Sequence, residues 1–170
     1  RMIVVDTGFE EKEAERRSQA SGNVWTCDVR RSPAAGLSLI GIDSHTVEDV
    51  VVTHLHYDHA GTLYDFPRAR FHLQEREIQY ATGPHMKQKF FSGAYTVNHI
   101  VDVVRNVFEG RVVFHNGDDE IAPGVSVPVS YIRLTLPTIR LVEISVVAVF
   151  FKKTTHTYLC FFFCIPFSPL

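Results

Sequence analysis

The chain lacks a charge excess of either sign, a cysteine framework and a long apolar run. Seventeen Lys and Arg face nineteen Asp and Glu, so the formal net charge of −2 provides no basic field for nucleic acid or anionic lipid. The three cysteines, Cys27, Cys160 and Cys164, are an odd and scattered set, which disfavours a disulfide framework and favours a reducing compartment. The longest uncharged apolar run, YLCFFFCIPF, is about half as long as a membrane-spanning helix. These absences predict a soluble, cytoplasmic protein that binds neither nucleic acid nor membranes.

The N-terminus also lacks two features. It has no initiator methionine at position 1, and the opening RMIVVDTG contains no charged-then-apolar stretch of secretory length. Because this opening lies inside what reads as a buried strand, we expect that an N-terminal part is missing. The 170 residues, 45% apolar and 21% charged, are enough for one globular domain with a real core.

The pattern of apolar residues predicts strands alternating with helices. Short β-branched or apolar runs predict strands at 2–5, 49–53, 69–74, 111–114 and 125–129. Helical signals, including an N-cap serine followed by proline at Ser32-Pro33, predict helices at 33–40, from 75 onward and at 96–108. The charged segment 10–20 is either a surface helix or a solvated loop. This alternation favours an α/β layer architecture.

The composition changes near residue 128. Of the nineteen acidic residues only Glu143 follows position 120, whereas six of the thirteen phenylalanines fall between Phe150 and Phe167. The arms 145–151 and 157–163 could pair as a β-hairpin around the polar stretch KKTT. We therefore divide the chain into a domain at 1–128 and a divergent apolar tail at 129–170.

A dense cluster of metal-ligand residue types follows the predicted strand at 49–53. The stretch THLHYDHAG contains His54, His56, Asp58 and His59 within six positions. Imidazole and carboxylate suit zinc, and also iron or manganese. Alternate residues of an extended segment point the same way, so His54 and His56 could share one metal ion. Asp58 and His59, in the turn that follows, could hold a second one.

This stretch resembles the HxHxDH signature of the metallo-β-lactamase superfamily. The segments VVDTGF, GIDSHTVEDVVVTHLHYDHAGTL, FPRARFHLQEREIQYATG and FEGRVVFHNGDDEIAPGVSV look like the N-acyl homoserine lactonase branch, in order and spacing, over residues 2–128. The resemblance implies an αββα sandwich of mixed sheets flanked by helices, only part of which these residues cover. It also implies two zinc ions and a metal-bound hydroxide that opens a lactone ring. The implied partner is a small molecule, an acyl homoserine lactone or a similar ester.

The resemblance also implies roles for individual residues. His54 and His56 would bind the first zinc ion, and Asp58 and His59 the second. Asp58 would also take part in catalysis by accepting a hydrogen bond from the hydroxide. Asp6, in the Asp-Thr-Gly turn, would support the ligands from behind, as outer carboxylates do for metal-bound histidines. Tyr57 would pack behind the site.

Other residues that the family requires are missing. A histidine in a Gly-His-Thr turn should follow the strand at 125–129, but the chain reads PVSYIRLTLPTIRLVE. The family also requires a later aspartate that bridges the two metal ions, and no aspartate follows Asp119. His156 is the only later histidine, and we interpret it as a hairpin-loop residue. A frameshift, a retained intron or a mis-called gene model would produce such a tail. We therefore expect weak metal binding and little or no lactonase activity.

Two alternatives stay open at the level of the sequence: another hydrolase of the same superfamily, acting on a thioester or a β-lactam, and a non-catalytic metal-binding remnant. The remaining histidines are assigned to simpler roles. We expect His72 to pack in a strand, His85 to lie in a loop that borders a substrate pocket, and three others to lie at the surface: His45, His99 and His115. Phe90, Phe91 and Tyr95 either line an acyl-chain groove or belong to the core.

Overall fold

A computed structural model of the chain describes residues 2–21, 29–122, 125–127, 145–152 and 157–166, with side chains up to residue 127. The sequence-based interpretations of Cys27, His156 and the stretch 129–144 fall outside the described residues. No helix in the described part of the chain is both long enough and apolar enough to cross a membrane.

The main layer is a six-stranded mixed sheet with the order β4-β3-β2-β1-β8-β7. The first four of these strands are parallel to one another, and β8 joins β1 in the antiparallel direction and pairs with β7. A second, two-stranded sheet is formed by β5 and β6. In chain order the strands are β1 (Met2–Val5), β2 (Asp49–Val51), β3 (Arg70–Gln74), β4 (Val112–His115), β5 (Asp119–Ala122), β6 (Val125–Val127), β7 (Ser145–Lys152) and β8 (Thr157–Pro166).

Helices lie in the connections from β1 to β2 and from β3 to β4, whereas only a 3-10 turn lies between β2 and β3. The helices are α1 (Glu11–Ala20), α2 (Pro33–Leu39), α3 (Glu75–Ala81), α4 (Lys89–Ser92) and α5 (Val97–Phe108), with 3-10 turns at Ser44–Thr46, Leu63–Asp65 and Pro84–Lys87. The predicted N-cap is confirmed, because Ser32 Oγ accepts the backbone N–H of Ala35 at 3.2 Å. The charged segment 10–20, for which the sequence allowed either a surface helix or a solvated loop, forms helix α1. The predicted α/β class, with a mixed sheet flanked by helices, is confirmed.

The core lies between the parallel strands and the helices. Val50 of β2 and Leu73 of β3 are almost completely buried, as are Leu55 and Phe66 in the connections that follow β2. The buried face of α5 differs from the apolar stripe expected from its sequence. Its buried residues are His99, Ile100, Val103 and Asn106, whereas Val97 and Phe108 are exposed. Contacts with neighbouring segments, and not the helical periodicity of α5 alone, decide which side of it is covered.

Two histidines expected at the surface are buried, so those two predictions are wrong. His115 is 4% exposed and His99 is 2% exposed. His115 Nε2 lies 3.0 Å from Nδ1 of the buried His72. The other ring nitrogens contact carboxylates: His72 Nε2 lies 3.1 Å from Asp49 Oδ1, and His115 Nδ1 lies 2.7 Å from Asp119 Oδ2. Imidazoles are readily buried where carboxylates satisfy their N–H groups, and these carboxylates come from other strands.

The ends of β1 and β2 position the candidate site. The two strands are parallel, with Val5 level with Val51, so Asp6 and the segment from Thr53 onward leave the sheet at the same edge. A backbone bridge between Gly8 and Ala60 and a 2.7 Å hydrogen bond from Thr7 N to His59 O join the two connections. In open α/β sheets ligands bind at this carboxyl edge of the strands.

Candidate metal centre

The four predicted ligands lie together in the connection after β2. The ring centroids of His54 and His56 are 4.4 Å apart, and those of His54 and His59 are 3.8 Å apart. Asp58 Oδ2 lies 3.6 Å from His59 Nε2. Backbone hydrogen bonds from His59 N and Ala60 N to His56 O, at 3.0 and 3.1 Å, curl the segment into a turn. The turn brings the later two residues back toward the first two.

The donor chemistry of this cluster suits zinc, because three imidazoles and a carboxylate are typical zinc ligands. The arrangement is incomplete, however. Nowhere in the described part of the chain do three or more His, Cys, Asp or Glu side chains form a group that could hold one metal ion. The cluster therefore presents ligands in close pairs, and a full coordination sphere would need further donors or movement of the side chains.

Asp6 contacts the cluster, and its predicted role in supporting the ligands stays a prediction. Its φ is +60°, a left-handed conformation that costs a non-glycine residue about 1–2 kcal/mol and that is often found at functional positions. This conformation aims the buried carboxylate at the ligands. Asp6 Oδ2 lies 2.8 Å from His59 Nδ1, so Nε2 of His59 faces away from Asp6, toward Asp58.

Thr53 contacts the same carboxylate and was not singled out from the sequence. Its backbone N–H donates to Asp6 Oδ1 at 2.8 Å, and its hydroxyl lies 3.0 and 2.9 Å from the two carboxylate oxygens. The same hydroxyl lies 3.0 Å from His54 Nδ1. A threonine at a strand end reads as an ordinary β-former, so the sequence contains no signal for this contact.

Burial and neighbouring charges shift the pKa values of the three histidines in different directions. Burial, together with the charges of His59 and His56, lowers the pKa of His54 to about 3. Burial also lowers the pKa of His56, against the opposing effect of Asp58. Burial acts in the same direction on His59, but the hydrogen bond and charge of Asp6, with further negative charges nearby, outweigh it and raise its pKa. Near neutral pH His54 and His56 are therefore neutral, which is the form that binds metal ions.

A second buried carboxylate, Glu77 of α3, holds the backbone between two of the ligands. Glu77 Oε1 accepts the N–H of Leu55 at 2.9 Å and the hydroxyl of Tyr95 at 3.2 Å. The Tyr95 ring meets the His56 ring edge-on, with centroids 4.8 Å apart. Burial raises the pKa of Glu77, although its two hydrogen bonds and His59 act in the opposite direction. Sequence reasoning missed Glu77 because it is twenty-two residues from Leu55.

Helix α1 contacts the site through Arg17. The Arg17 guanidinium lies 3.6 Å from the centroid of the Tyr57 ring, donates to Thr96 Oγ1 at 3.3 Å and pairs with the buried Glu13 at 2.6 Å. Tyr57 also packs against Phe9, with ring centroids 4.8 Å apart, and its position behind the ligands stays a prediction. Burial by itself would raise the pKa of Glu13, but hydrogen bonds from Arg16, Thr96 and Arg17 and the charge of Arg17 lower it to about 2.

The other aromatic and histidine candidates are divided between surface and interior. Phe90 is exposed, whereas Tyr95 is buried and belongs to the core. His85 stacks on Tyr80 at a centroid distance of 5.5 Å. His45 is exposed and pairs with Asp43 at 3.0 Å, as expected for a surface histidine.

Comparison with known proteins identifies the family. The family model of the metallo-beta-lactamase superfamily matches residues 1–139, which is most of the chain. This chain belongs to the metallo-beta-lactamase superfamily. Within the superfamily, a stretch of 50 residues is 44% identical to the N-acyl homoserine lactonase AttM of Azorhizobium caulinodans and covers 29% of this chain and 19% of that relative.

Solved structures agree on the fold. An N-acyl homoserine lactone hydrolase with the product N-hexanoyl-L-homoserine bound at its catalytic metal center matches with a TM-score of 0.52 and 22% identity, covering 73% of this chain and 46% of that one. A quorum-quenching N-acyl homoserine lactone hydrolase matches with the same TM-score and identity, over 73% and 44% of the two chains. The chain therefore spans less than half the length of the solved structures that it matches. The predicted superfamily and fold are confirmed.

Proposed function

We propose that this chain carries the N-terminal half of the metal site of a hydrolase of the N-acyl homoserine lactonase type, whose reaction opens a cyclic ester. The observation that carries the proposal is the meeting of His54, His56, Asp58 and His59 at the carboxyl edge of β1 and β2, backed by Asp6. The likeness to lactonases in both sequence and fold supports this substrate class. The substrate is then a small molecule, an acyl homoserine lactone or a similar ester. The cytoplasmic location of the protein stays a prediction.

In this proposal His54 and His56 would hold one zinc ion, and Asp58 and His59 would hold the other. Bound zinc would activate water at neutral pH and polarise the carbonyl that is attacked. The protein supplies the rest. Asp6 orients His59, and the carboxylate of Asp58 would accept a hydrogen bond from the attacking water. Glu77 fixes the backbone on which His54 and His56 stand, which keeps their rings close together.

We further propose that the 170-residue chain by itself binds zinc weakly and turns over lactones slowly or not at all. Catalytic zinc sites usually have three protein ligands for each ion, whereas this cluster offers two. No aspartate follows Asp119, and His156 is the only histidine after His115. The proposed origin of residues 129–170 in a frameshift, a retained intron or a mis-called gene model would account for this shortage. Sequencing the transcript across codons 120–140 tests that origin, and a continuous reading frame there would contradict it.

A second candidate is a non-catalytic metal-binding remnant, in which the cluster would hold metal ions without any turnover. The two candidates differ in turnover and not in metal binding. A thioester or β-lactam substrate is a third possibility within the same superfamily.

Zinc titration by calorimetry tests these proposals. The chain is compared with the double variants His54→Ala/His56→Ala and Asp58→Ala/His59→Ala, and with His45→Ala as a control for the loss of an exposed histidine. We expect weak binding that either double variant reduces and that the control leaves unchanged. Two tight sites would contradict the proposed impairment, and the absence of any binding would contradict the metal site. Hydrolysis of N-hexanoyl homoserine lactone, a glutathione thioester and a β-lactam, measured in parallel with added zinc, separates the remaining candidates.

A further inference from the structure

The hydroxyl of Thr53 lies between a buried carboxylate and a ligand histidine. Its oxygen is 3.0 and 2.9 Å from Oδ1 and Oδ2 of Asp6 and 3.0 Å from Nδ1 of His54. His59 Nδ1 is slightly farther from it, at 3.3 Å, and already contacts Asp6 Oδ2 directly at 2.8 Å. One hydroxyl thus connects Asp6 to His54, while His59 reaches the same carboxylate without an intermediary.

Counting protons determines the direction of these hydrogen bonds. An ionised carboxylate only accepts hydrogen bonds, and a threonine hydroxyl has one proton to donate. The proton of Thr53 therefore points to Asp6, and its oxygen can only accept from His54. This requires a proton on Nδ1 of His54. Because a neutral imidazole carries one N–H, Nε2 of His54 is left with a lone pair.

His59 also carries a proton on Nδ1, for a different reason. Its Nδ1 donates directly to Asp6 Oδ2, and its Nε2, 3.6 Å from Asp58 Oδ2, faces the ligand cluster. Asp6 thus acts on two histidines, on His59 by contact and on His54 through Thr53. The backbone N–H of Thr53 donates to Asp6 Oδ1 at 2.8 Å, which holds the threonine in the position that the relay needs.

We propose that Thr53 is a positioning residue whose hydroxyl links Asp6 to His54 by hydrogen bonds. This relay holds the His54 ring in the Nδ1–H tautomer and so presents Nε2 to a metal ion. The tautomer is a property of the protein without metal, whereas its consequence for metal binding rests on the proposed function. A metal ion binds an unprotonated ring nitrogen, and the partner of the other nitrogen selects which one that is. Loss of such an outer partner typically lowers metal affinity about 10- to 100-fold.

Nuclear magnetic resonance of 15N-labelled histidine rings tests the relay in the zinc-free protein. Thr53→Val keeps the shape and β-branching of the side chain and removes the hydroxyl, and Thr53→Ser restores a hydroxyl. Thr82→Val removes an exposed hydroxyl that donates to Ile78 O at 2.7 Å, far along the chain from the cluster. We expect His54 to be the Nδ1–H tautomer in the unsubstituted chain, in Thr53→Ser and in Thr82→Val, and to lose that preference in Thr53→Val.

The spectra of the unsubstituted chain are decisive even if Thr53→Val does not fold. A proton on Nε2 of His54 would overturn the relay, and so would a folded Thr53→Val chain that keeps the Nδ1–H tautomer. The ring of His59 serves as an internal reference, because its direct contact with Asp6 should keep the proton on its Nδ1 in every variant.

Zinc affinity, measured by competition with a chromophoric chelator, tests the consequence. We expect an affinity about 10- to 100-fold lower for Thr53→Val, with Thr53→Ser close to the unsubstituted chain. An equal affinity for Thr53→Val, despite an altered tautomer, would overturn the metal-binding part of the proposal. A chain that shows the expected tautomers and binds no zinc supports the relay and overturns the proposed function, so the two failures are distinguishable.

Discussion

Gly61 is the position at which a single methyl group should do most damage to the candidate site. A Cβ at this residue would lie 2.3 Å from Gly8 O, 2.6 Å from Glu10 N and 3.0 Å from Phe9 C. All three are backbone atoms, so no side chain can rotate away to make room. The turn after β1 and the connection after β2 would have to separate by about an ångström, since ordinary contacts of a carbon atom begin near 3.5 Å.

The magnitude follows from what that separation breaks. Gly61 N donates to Gly8 O at 2.8 Å, and Thr62 Oγ1 donates to Thr7 O at 2.6 Å. Overpacking typically costs about 1–3 kcal/mol, and each lost hydrogen bond about 1 kcal/mol. We therefore expect Gly61→Ala to lower the free energy of unfolding by about 3–5 kcal/mol, a large part of the 5–15 kcal/mol typical of a domain.

Gly110→Ala is the matched control. It adds the same methyl group where a Cβ would meet nothing within 4 Å, and where φ is +70°. Only the left-handed conformation is then penalised, at about 1–2 kcal/mol. Urea unfolding followed by far-ultraviolet circular dichroism compares the two variants. Equal stability of the two would refute the reasoning, whereas a Gly61→Ala chain that does not fold at all is the expected effect at its extreme.

Two further predictions concern buried charge. Asp49→Ala should lower the free energy of unfolding by about 1–3 kcal/mol, because it leaves the buried N–H of His72, 3.1 Å away, without its acceptor and removes the partner of Arg70 at 2.7 Å. Asp102→Ala, which breaks an exposed pair with Arg105, should cost less than about 1 kcal/mol in the same denaturation assay, and similar losses for both would contradict the assignment. Because the folded-state pKa of Glu13 is lowered to about 2 from 4.5, its stabilising contribution is present above about pH 4.5 and is lost as the pH falls toward 2. Glu13→Gln should therefore flatten the acid side of the stability profile, whereas Glu15→Gln, at an exposed position of the same helix, should leave the profile unchanged.

The secondary structure of the first 127 residues was largely predictable because its signals are local. The strands at Met2–Val5 and Arg70–Gln74 and the helix at Val97–Phe108 agree with the predicted ranges to within one residue at each end. Apolar runs and caps act within a few residues of one another, and so they can be read directly. The buried face of α5 could not be predicted in this way, because it depends on which distant segments pack against it.

The proximity of the four ligand-type residues was predictable for the same reason, whereas their role as metal ligands stays a prediction. His54, His56, Asp58 and His59 lie within six positions, and a strand followed by a turn is enough to bring them close together. Their supporting residues are a different case. Thr53 meets Asp6 across forty-seven positions, and Glu77 meets Leu55 across twenty-two. Only Asp6 was anticipated, and it was anticipated from the family resemblance.

The sequence by itself determined the family, the α/β class and the four ligand-type residues, since these depend on residue types at short spacing. The tertiary structure decided which groups contact those four residues. The parallel pairing of β1 with β2 places Asp6 beside Thr53, and α3 packs its carboxylate of Glu77 against the backbone of Leu55. The structure also turned His99 and His115 from expected surface residues into buried ones. Hydrogen bonds and burial of this kind join residues far apart in the chain, and only the packing of strands and helices brings such residues together.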